Sequence, residues 1–425
     1  MKKSGEINTL VLHAYNVPSI NRIIAVSALT GIFGLTHDSK LVSSFKNFPF
    51  LRKLRGAHSE EYRALGYTTD WLDAILSFPR LNVTLCNVNN LVEFYRYCHR
   101  DIAHFDLIII MHSAAGDNMV LLNRTAHFLL KRTGKLAVFI GNEYDILHEK
   151  KKFLTESGAD FVLTQLPKQA AEFLYGNIPY TKIIEMPHAL NPARYFCDDS
   201  APRTWDFGFI GARYPMWIGD ETRNSLLSAV AEKSKLMNLN SQVVVGGKNI
   251  VSDQWSSFLQ SCKLTCGAEA GTNYLDENGA LIARAKSFLA TKPEATFSEM
   301  MDACFSEINI EYRSGKAISS RHFEPIGTKT CQVLLEGSYN GILSPDVHYL
   351  SVKNDLSNLD EKIREGLDPE RRKEIVDNAY RFVFEHHTYK RRIETLINSI
   401  FGEGGAMNDE STAPLTSTPL ARRTN

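Results

Sequence analysis

The alternation of short apolar runs with longer amphipathic segments constrains this chain more than any other feature of its sequence. Apolar runs without polar alternation are typical of parallel strands, which helices cover on both faces. In the first half such runs predict six strands, at Leu10–His13, Val83–Val88, Leu107–His112, Leu136–Ile140, Phe161–Leu163 and Ile183–Met186. Helices are predicted between them, near residues 20–33, 90–98, 118–132, 147–157 and 167–174. The pattern therefore predicts a complete doubly wound, Rossmann-like α/β domain over residues 1–195.

A second domain of the same type is predicted after a linker. Residues 191–203 are rich in turn-forming residues, so we place the linker at 196–205 and the second domain at 206–386. Strands are predicted at Phe207–Ile210, Val243–Val245 and residues 347–352, with helices near 253–260, 281–290, 297–306, 328–336, 355–366 and 369–384. Residues 402–425 are rich in Gly, Ser, Thr and Pro, which predicts a disordered tail. Ligands of such sheets bind outside the carboxyl ends of the strands, so the expected site is a cleft between two sheets.

The charge balance and the cysteines limit the classes of partner. Lys plus Arg and Asp plus Glu each number 48 among 425 residues, which argues against nucleic acid or an anionic bilayer as the main partner. The seven cysteines are scattered, without the paired spacing of a zinc site or a disulfide framework. No segment has the apolar core of a signal peptide or the length of a membrane span. These features predict a soluble, cytoplasmic protein.

The segment from Arg321 to Gly337 is the most informative for function. A turn is predicted at Gly327, and Thr328 is suited to cap the start of the helix predicted at 328–336. Amide N–H groups at a helix start, with Lys329 close by, form an anion site suited to a diphosphate, and Arg321 adds a bidentate contact. The alternative is a capped surface helix with a solvated lysine.

The same segment resembles the donor-binding element of GT-B glycosyltransferases, in which Glu-x7-Glu is followed by Gly five residues later. Glu324 and Gln332 stand at the two acidic positions, with Gln in place of the second Glu. The resemblance implies that Glu324 and the loop at Gly327 face the donor sugar and diphosphate, and that Gln332 bonds the ribose hydroxyls. The Arg-x-Phe-Glu opening and the ending His387-Thr-Tyr389 are similar to the spore-maturation-type group of these enzymes. The resemblance is best over residues 205–400, and the first half is similar only in architecture.

Further donor contacts are expected in the second domain. The resemblance implies that Arg213, just after the strand that opens this domain, contacts the diphosphate together with Arg223 or Lys248. Glu269 lies in a glycine-rich loop and is a candidate for bonding sugar hydroxyls, with a plain turn as the alternative. By the same resemblance, the last helix, at residues 387–401, crosses back onto the first domain.

Two loops of the first domain carry candidates on the acceptor side. His112 ends the most apolar strand, and Glu143 follows the next one. Transfer to an alcohol requires a base if the configuration inverts, or oriented donors and a leaving-group clamp if it is retained. We therefore predict His112 and Glu143 as base or acceptor-binding residues, the alternative being that each only stabilises its loop. His188, near the domain boundary, is a weaker candidate.

Together these features predict a glycosyltransferase that moves a sugar from a nucleotide-sugar to a glycan, lipid-linked or other hydroxyl acceptor. The resemblance implies retention of configuration and a role in bacterial surface polysaccharide biosynthesis. The sequence has no Asp-x-Asp to hold a divalent metal, so we expect metal independence, with the nucleotide-sugar as co-substrate and no cofactor. The aromatic and basic segment 46–55 predicts peripheral contact with the inner face of a membrane, or an ordinary surface loop. Two alternatives for the whole chain are a nucleotide-sugar 2-epimerase of the same fold and a non-catalytic protein that binds a nucleotide-sugar or a glycan.

Overall fold

A computed structural model describes most of the chain. The described residues are 6–14, 66–88, 90–116, 119–198, 200–246, 252–306 and 309–402. Four predictions lie outside them: the helix at 20–33, the segment 46–55, the role of Lys248, and the tail beyond residue 402.

The first domain is built on a six-stranded sheet in which every pair of neighbours is parallel. Its strands are β1 (Ile7–His13), β2 (Leu81–Asn87), β3 (Leu107–Ile110), β4 (Lys135–Phe139), β5 (Phe161–Thr164) and β6 (Lys182–Glu185). Their order across the sheet is β2-β1-β3-β4-β5-β6. All six predicted strands are confirmed, with ends that differ by one to three residues, because continuous apolar runs mark strands that are buried on both faces.

Helices cover both faces of this sheet. They are α1 (Gly66–Leu76), α2 (Leu91–Arg96), α3 (Val120–Leu129), α4 (Leu147–Glu156) and α5 (Lys168–Tyr175), with a π-helical turn at Tyr97–Asp101 and a 3-10 turn at Ile102–His104. Alternate residues of β1 enter different cores: Leu10 and Leu12 pack on the side of α3, α4 and α5, and Val11 packs on the side of α1. This alternation is what a strand between two helical layers requires.

The second domain has a five-stranded parallel sheet and a short antiparallel pair. In chain order its strands are β7 (Trp205–Gly211), β8 (Ser241–Val245), β9 (Cys262–Gly267), β10 (Leu275–Asp276), β11 (Tyr312–Arg313), β12 (Cys331–Leu335) and β13 (Leu350–Val352). The five strands of the sheet are ordered β13-β12-β9-β7-β8, and β10 pairs with β11. Two doubly wound Rossmann-like domains are therefore confirmed.

The helices of the second half are α6 (Thr222–Leu236), α7 (Ser252–Gln260), α8 (Ala280–Thr291), α9 (Phe297–Cys304), α10 (Ser320–Gly327), α11 (Leu359–Leu367), α12 (Pro369–His386) and α13 (Tyr389–Phe401). Short 3-10 turns lie at Met216–Ile218 and Tyr339–Gly341. Local sequence explains two of the helix starts: the side chains of Asp368 and Thr388 accept hydrogen bonds from backbone N–H groups of the first turns of α12 and α13.

The helix predicted at residues 328–336 is wrong. Helix α10 ends at Gly327, and the next element is the strand β12, which begins at Cys331. Every side chain of β12 is buried. The run Val333-Leu334-Leu335 is apolar on consecutive positions, which suits a strand with two covered faces better than an amphipathic helix. Pro325 does not prevent α10, because it removes only the hydrogen bond to the carbonyl of Arg321 in a helix of two turns.

The last helix, α13, packs on the first domain, as predicted. Ile393, Leu396 and Ile397 are fully buried in the core that contains Trp71 of α1. Just before α13 the chain pairs with Leu190, which receives a hydrogen bond at its carbonyl from Tyr389 N (3.1 Å) and donates one to His387 O (2.9 Å). The chain therefore crosses between the two domains twice, once in the linker and once just before α13. Among the described helices, none combines the length and apolarity that crossing a bilayer requires.

Candidate functional site

Two adjoining cavities lie where the carboxyl ends of the two sheets meet. The larger, of about 460 Å³, lies between the domains and is lined by loops that follow β4, β5 and β6, together with residues around the start of α10. The smaller, of about 250 Å³, lies within the second domain, against the ends of β7 and β9 and the start of α10. Tyr214, Ser319 and Arg321 line both cavities. A ligand with two unlike parts therefore has a place for each part and a defined junction between them.

The start of α10 forms the junction between the cavities. Ser319 is the N-cap residue, and its carbonyl accepts a hydrogen bond of 3.1 Å from the amide N–H of His322. Ser320 and Arg321 occupy the first two helical positions, whose amide N–H groups have no partner within an α-helix. Arg321 lies in this turn, with its guanidinium carbon 4.4 Å from the centre of the Trp255 ring. The positive end of a helix dipole and a guanidinium thus converge on one point, which is a suitable environment for a diphosphate.

His322 fixes this helix start to the sheet. Its Nε2 lies 3.1 Å from the carbonyl of Ala268, and its Nδ1 lies 3.0 Å from the amide N of Ser319. Because a carbonyl only accepts and an amide N–H only donates, the ring is neutral with its proton on Nε2. Burial lowers the pKa of His322 to about 4, which is consistent with that assignment. Protonation would break the bond to Ser319, so the neutral ring holds the anion site in place.

Glu324 lies behind the junction and lines neither cavity. Its Oε2 accepts a hydrogen bond of 2.7 Å from Nε1 of Trp255 and lies 3.7 Å from Nη1 of Arg321. The structure thus brings Glu324 and Arg321 together, but it places Glu324 behind the cavity wall, whereas the resemblance implied that Glu324 faces the donor sugar and diphosphate. The contact with Trp255, which is 69 positions distant, was not predicted.

The sequence predicts the diphosphate site at the turn Gly327–Lys329. The structure corrects this, because no helix starts there. Arg203, just before β7, donates to the carbonyls of Thr328 (2.6 Å) and Cys262 (2.6 Å), and Cys262 begins β9. Thr328 and Lys329 therefore lie at the amino edge of the sheet, whereas both cavities lie at its carboxyl edge. Thr328 ends α10 and is fully buried. Gly327 faces the linker, since a Cβ there would meet the carbonyl of Tyr195 at 2.5 Å.

We expect Lys329→Ala to leave donor binding unchanged. The ammonium of Lys329 pairs with Asp377 at 2.9 Å, and both side chains are about a third exposed, at 30% and 29%. The lost pair should cost at most about 1 kcal/mol of stability, because solvent screens such pairs. Isothermal titration with a nucleotide-sugar and a thermal melt measure both effects. A donor affinity that falls tenfold or more would restore Lys329 to the site.

The remaining donor-side candidates have different positions. Gln332, on β12, lines the smaller cavity and donates from Nε2 to the carbonyl of His322 at 3.0 Å. Arg223 also lines it and stacks on Tyr214, with 4.2 Å between the guanidinium carbon and the ring centre. Arg213 is exposed on the loop after β7 and is not among the lining residues.

Glu269 supports a loop and is not part of either cavity wall. Its Oε1 accepts hydrogen bonds from the backbone N of Tyr339 (2.7 Å) and from the hydroxyl of Ser338 (3.1 Å). A Cβ on Gly337 would approach Oε2 of Glu269 to 2.6 Å. The carboxylate therefore organises the loop that follows β12.

Glu143 lines the larger cavity from the first domain. Its Oε1 accepts hydrogen bonds from the hydroxyls of Thr164 (2.6 Å) and Tyr175 (2.8 Å). Burial raises the pKa of Glu143 to about 7, and the two hydroxyls and nearby Lys150 oppose that rise. A carboxyl group that titrates near neutrality on the wall of a cleft is suited to receive a proton.

The loop that carries Glu143 is held by a buried lysine. Nζ of Lys150, in α4, donates to the carbonyls of Gly141 (2.6 Å), Asn142 (2.8 Å) and Asp145 (2.9 Å). Lys150 is fully buried. Because three carbonyls on both sides of Glu143 converge on one ammonium, the loop has a single well-defined conformation.

His188, a weaker candidate from the sequence, lines the larger cavity, and His112 does not. The ring of His112 lies 5.9 Å from those of Tyr67 and His188, both of which do line it. The two ring nitrogens of His112 have no hydrogen-bond partner among the described residues, and burial lowers its pKa to about 3. His112 therefore lies one layer behind the cavity wall.

The protonation of His188 follows from its partners. Nδ1 lies 3.3 Å from the indole nitrogen of Trp71, which only donates, so Nδ1 is an acceptor. Burial, with the charges of His112 and Arg392, lowers the pKa of His188 well below its usual value, so the ring is neutral. Its proton is therefore on Nε2, which makes His188 a hydrogen-bond donor on the wall of the larger cavity.

Some lining residues were missed by sequence reasoning. Ser319 is the N-cap of α10 and Ser320 its first residue, and a search for N-caps would have found them. Trp255 and Tyr214 have no local signal, because their role depends on contacts with distant residues. Within the described ranges, no cluster of three His, Cys, Asp or Glu side chains is arranged to hold a metal ion.

Among solved structures, the chain is similar to an alpha-glucosyltransferase in complex with UDP-glucose and DNA containing an abasic site, with a TM-score of 0.51 and 11% identity over 93% of this chain and 100% of that one. The fold is GT-B. Lower scores are found for HepE of Anabaena with UDP-glucose (TM-score 0.45, 10% identity, 93% and 100% covered) and for T4 phage BGT with its UDP-glucose substrate (0.47, 11%, 93% and 99%).

A family model described as glycosyl transferase-like matches residues 223–398, which is less than half of the chain. Curated proteins give no significant match. Within the GT-B fold, the matched range runs from α6 into α13 and includes Arg321, Glu324 and Gln332. The match begins in α6, which lies after the linker, so the first domain is outside the matched range.

Proposed function

We propose that this protein is a glycosyltransferase that moves a sugar from a nucleotide-sugar to a hydroxyl acceptor. The observation that carries the proposal is the junction of two cavities at the start of α10, where Ser319 and Arg321 line both. A nucleotide-sugar has a matching form, with a nucleoside, a diphosphate and a sugar in line. The match of residues 223–398 to the glycosyl transferase-like family supports the same activity.

The nucleoside is proposed to occupy the smaller cavity. Trp255 and Tyr214 supply flat apolar walls, and Thr265 and Gln332 supply hydrogen-bonding groups for a base or a ribose. The diphosphate then lies at the start of α10, where Arg321 and the amide N–H groups meet it. Glu324 acts as a positioning residue, because it touches Trp255 and Arg321 rather than the cavity.

The sugar and the acceptor are proposed to share the larger cavity. Nε2–H of His188 donates to a sugar or acceptor oxygen, and the carboxylate of Glu143 accepts from the reacting hydroxyl. These two groups have opposite hydrogen-bonding roles on one wall, so they orient a hydroxyl-bearing ligand. His112 supports this wall from behind through the rings of Tyr67 and His188.

Leaving-group stabilisation is proposed to need no metal ion. Arg321 and the start of α10 supply positive charge where the diphosphate develops negative charge, with Arg213 and Arg223 as further cations near this edge. The resemblance of the second domain to retaining enzymes, including the spore-maturation-type group, favours retention of configuration. Nuclear magnetic resonance of the product anomer tests this, and an inverted product would reject retention.

The resemblance to GT-B glycosyltransferases is also the basis for the acceptor and the cellular location that we propose. A glycan or a lipid-linked saccharide of bacterial surface polysaccharide biosynthesis is the acceptor we propose, reached from the cytoplasm at the inner face of the membrane. Segment 46–55 would provide the membrane contact. Flotation of the protein with vesicles that contain an anionic lipid tests the last point.

The decisive experiment is a thermal-shift screen with UDP-, GDP-, ADP-, CMP- and dTDP-sugars, with and without EDTA, followed by a nucleotide-release assay. A ligand that binds only the native state raises its melting temperature. We expect one nucleotide-sugar to stabilise the protein with EDTA present, and nucleotide release to require an acceptor. A sugar epimerised without an acceptor would indicate the 2-epimerase alternative, and binding without any reaction would indicate a non-catalytic protein.

A further inference from the structure

A strained turn follows β12 at the edge of the cleft. Tyr339, Asn340 and Gly341 have consecutive positive φ values of 43°, 53° and 68°. Glycine adopts this conformation freely, but two non-glycine residues in succession do so only when surrounding contacts impose it. Strain of this kind is concentrated at functional sites, where surrounding contacts hold the backbone in the strained conformation.

The contacts on Tyr339 hold the turn against the second domain. Its hydroxyl donates to the carbonyl of Leu335 at 2.6 Å, and its backbone N donates to Glu269 at 2.7 Å. The ring is fully buried. These contacts set the position of the next residue, so the direction of the Asn340 side chain is determined by the fold.

The side chain of Asn340 joins the two domains. Its Oδ1 accepts a hydrogen bond of 2.8 Å from the backbone N of Ile318, which directly precedes the cap of α10. Its Nδ2 donates at 3.0 Å to the carbonyl of Gln165, in the loop after β5 of the first domain. Gln165 directly follows Thr164, whose hydroxyl donates to the carboxylate of Glu143 at 2.6 Å. One amide thus links the donor-side helix start to the loop that holds Glu143.

We propose that Asn340 is a positioning residue that holds the donor-side loop and the Glu143 loop in register across the cleft. The proposal rests on the proposed function for its kinetic consequences. The hydrogen bonds predict that Asn340 acts mainly on the transfer step, because Asn340 lines neither cavity. Its side chain bonds Ile318, beside the cap of α10, and Gln165, which follows the residue that bonds Glu143. Its loss should lower kcat more than donor affinity, since small errors in the approach of reacting atoms are costly.

Two variants separate the bonds that Asn340 makes. Asn340→Asp keeps the acceptor for Ile318 and tolerates the left-handed conformation, but it replaces the donor to Gln165 with an oxygen that faces a carbonyl. Asn340→Gly fits the backbone and removes both bonds. If the cross-cleft bond is the important one, both variants should lose kcat by roughly tenfold or more. Wild-type turnover in Asn340→Asp together with a loss in Asn340→Gly would overturn the proposal, because only the local turn would then matter.

A matched control tests whether any contact across the cleft has the same effect. Nζ of Lys151 donates to the carbonyl of Glu277 at 3.2 Å, which also joins the two domains. Lys151→Ala should leave kcat within about twofold of wild type, because this bond contacts neither loop and a single exposed bond contributes little. Equal losses in Lys151→Ala and Asn340→Asp would assign the effect to closure in general and reject a specific role for Asn340.

A double variant tests the connection to Glu143. Effects of residues that act on one group are not additive. Asn340→Asp should therefore reduce kcat clearly in the wild-type background and by less than about threefold in the Glu143→Gln background. Multiplicative losses would contradict action through Glu143.

Hydrogen exchange keeps the proposal testable without activity. Amides of residues 141–145 and 165–166 should exchange faster in Asn340→Asp than in wild type, with the second sheet unchanged. Unchanged exchange at these amides would reject the link itself. If the wild-type protein binds no nucleotide-sugar and transfers no sugar, the proposed function fails, yet the exchange experiment still decides whether Asn340 orders the loop.

Discussion

Arg321→Ala should lower kcat/KM for the nucleotide-sugar by roughly 10²- to 10³-fold, the size of effect seen when one stabilising donor is removed from a preorganised site. Arg321 is the only cation that lines both cavities among the described residues, and its guanidinium is fixed by stacking on Trp255. A cation at the junction stabilises the leaving diphosphate more as charge develops, so kcat should fall together with donor affinity. Steady-state kinetics with varied donor, and titration calorimetry, measure the two contributions.

Arg321→Lys is the matched variant for this prediction. It keeps the positive charge but loses the planar group that stacks on Trp255 and the bidentate geometry that suits phosphate oxygens. We expect an intermediate loss of roughly tenfold to a hundredfold, because Lys acts only as a point charge. Circular dichroism should show both variants folded, since the side chain of Arg321 is 38% exposed. Wild-type kinetics in Arg321→Ala would place the diphosphate elsewhere.

Glu143→Gln should lower kcat/KM for the acceptor by roughly 10²-fold at pH 8 and remove most of its pH dependence. In the wild-type protein, burial raises the pKa of Glu143 to about 7, so the proton-accepting form is populated only as the pH rises through neutrality. Activity with acceptor should therefore increase between about pH 6 and 8 in the wild type. Glutamine keeps the hydrogen bonds to Thr164 and Tyr175 but has no charge and accepts no proton.

The measurement is a pH profile of kcat/KM for wild type and Glu143→Gln, with donor saturating. A profile of the variant that still rises through pH 7 would assign the titration to another group. Donor affinity provides the control, because Glu143 lies on the acceptor side and its replacement should change the donor Kd by less than about threefold.

The same substitution should stabilise the protein at high pH. A carboxyl whose folded pKa is raised holds its proton more tightly in the folded state than in the unfolded state, so stability falls as the pH rises from its ordinary value of 4.5 towards about 7. Above that range Glu143 is a buried charge, which costs up to roughly 3 kcal/mol. Glu143→Gln should therefore raise the melting temperature at pH 8 and leave it nearly unchanged at pH 4.5. Asp70, whose pKa burial also raises to about 7, is present in both proteins and cancels in the comparison.

The prediction of α10 failed for an identifiable reason. A proline and a glycine, Pro325 and Gly327, were interpreted as a turn, although a two-turn helix tolerates proline when only one hydrogen bond is lost. The apolar run after Thr328 was then assigned to a helix, although consecutive buried positions are equally typical of a strand. The error moved the diphosphate site from the start of α10 to its end, and so from the carboxyl edge of the sheet to the amino edge.

Individual side chains were predicted with mixed results because a local sequence does not contain their partners. Arg321 and Gln332 line the smaller cavity, and Arg321 and Glu143 line the larger. His112 was chosen because it ends a strand, yet His188 takes the position on the wall. The difference arises from the packing of three aromatic rings around His112, two of them on α1 and one on β4.

The sequence by itself determined the two parallel sheets and their order along the chain, because apolar periodicity and turn composition are local properties. The return of the last helix was implied by the resemblance to GT-B glycosyltransferases. Only the tertiary structure decided the chemistry of the cleft. Trp71 sets the proton of His188 from 117 positions away, Trp255 binds Glu324 from 69, and Asn340 reaches Gln165 from 175. These features depend on groups that approach one another only when the chain is folded. They include the direction of a hydrogen bond, the burial that raises the pKa of a carboxyl group, and the junction of two cavities.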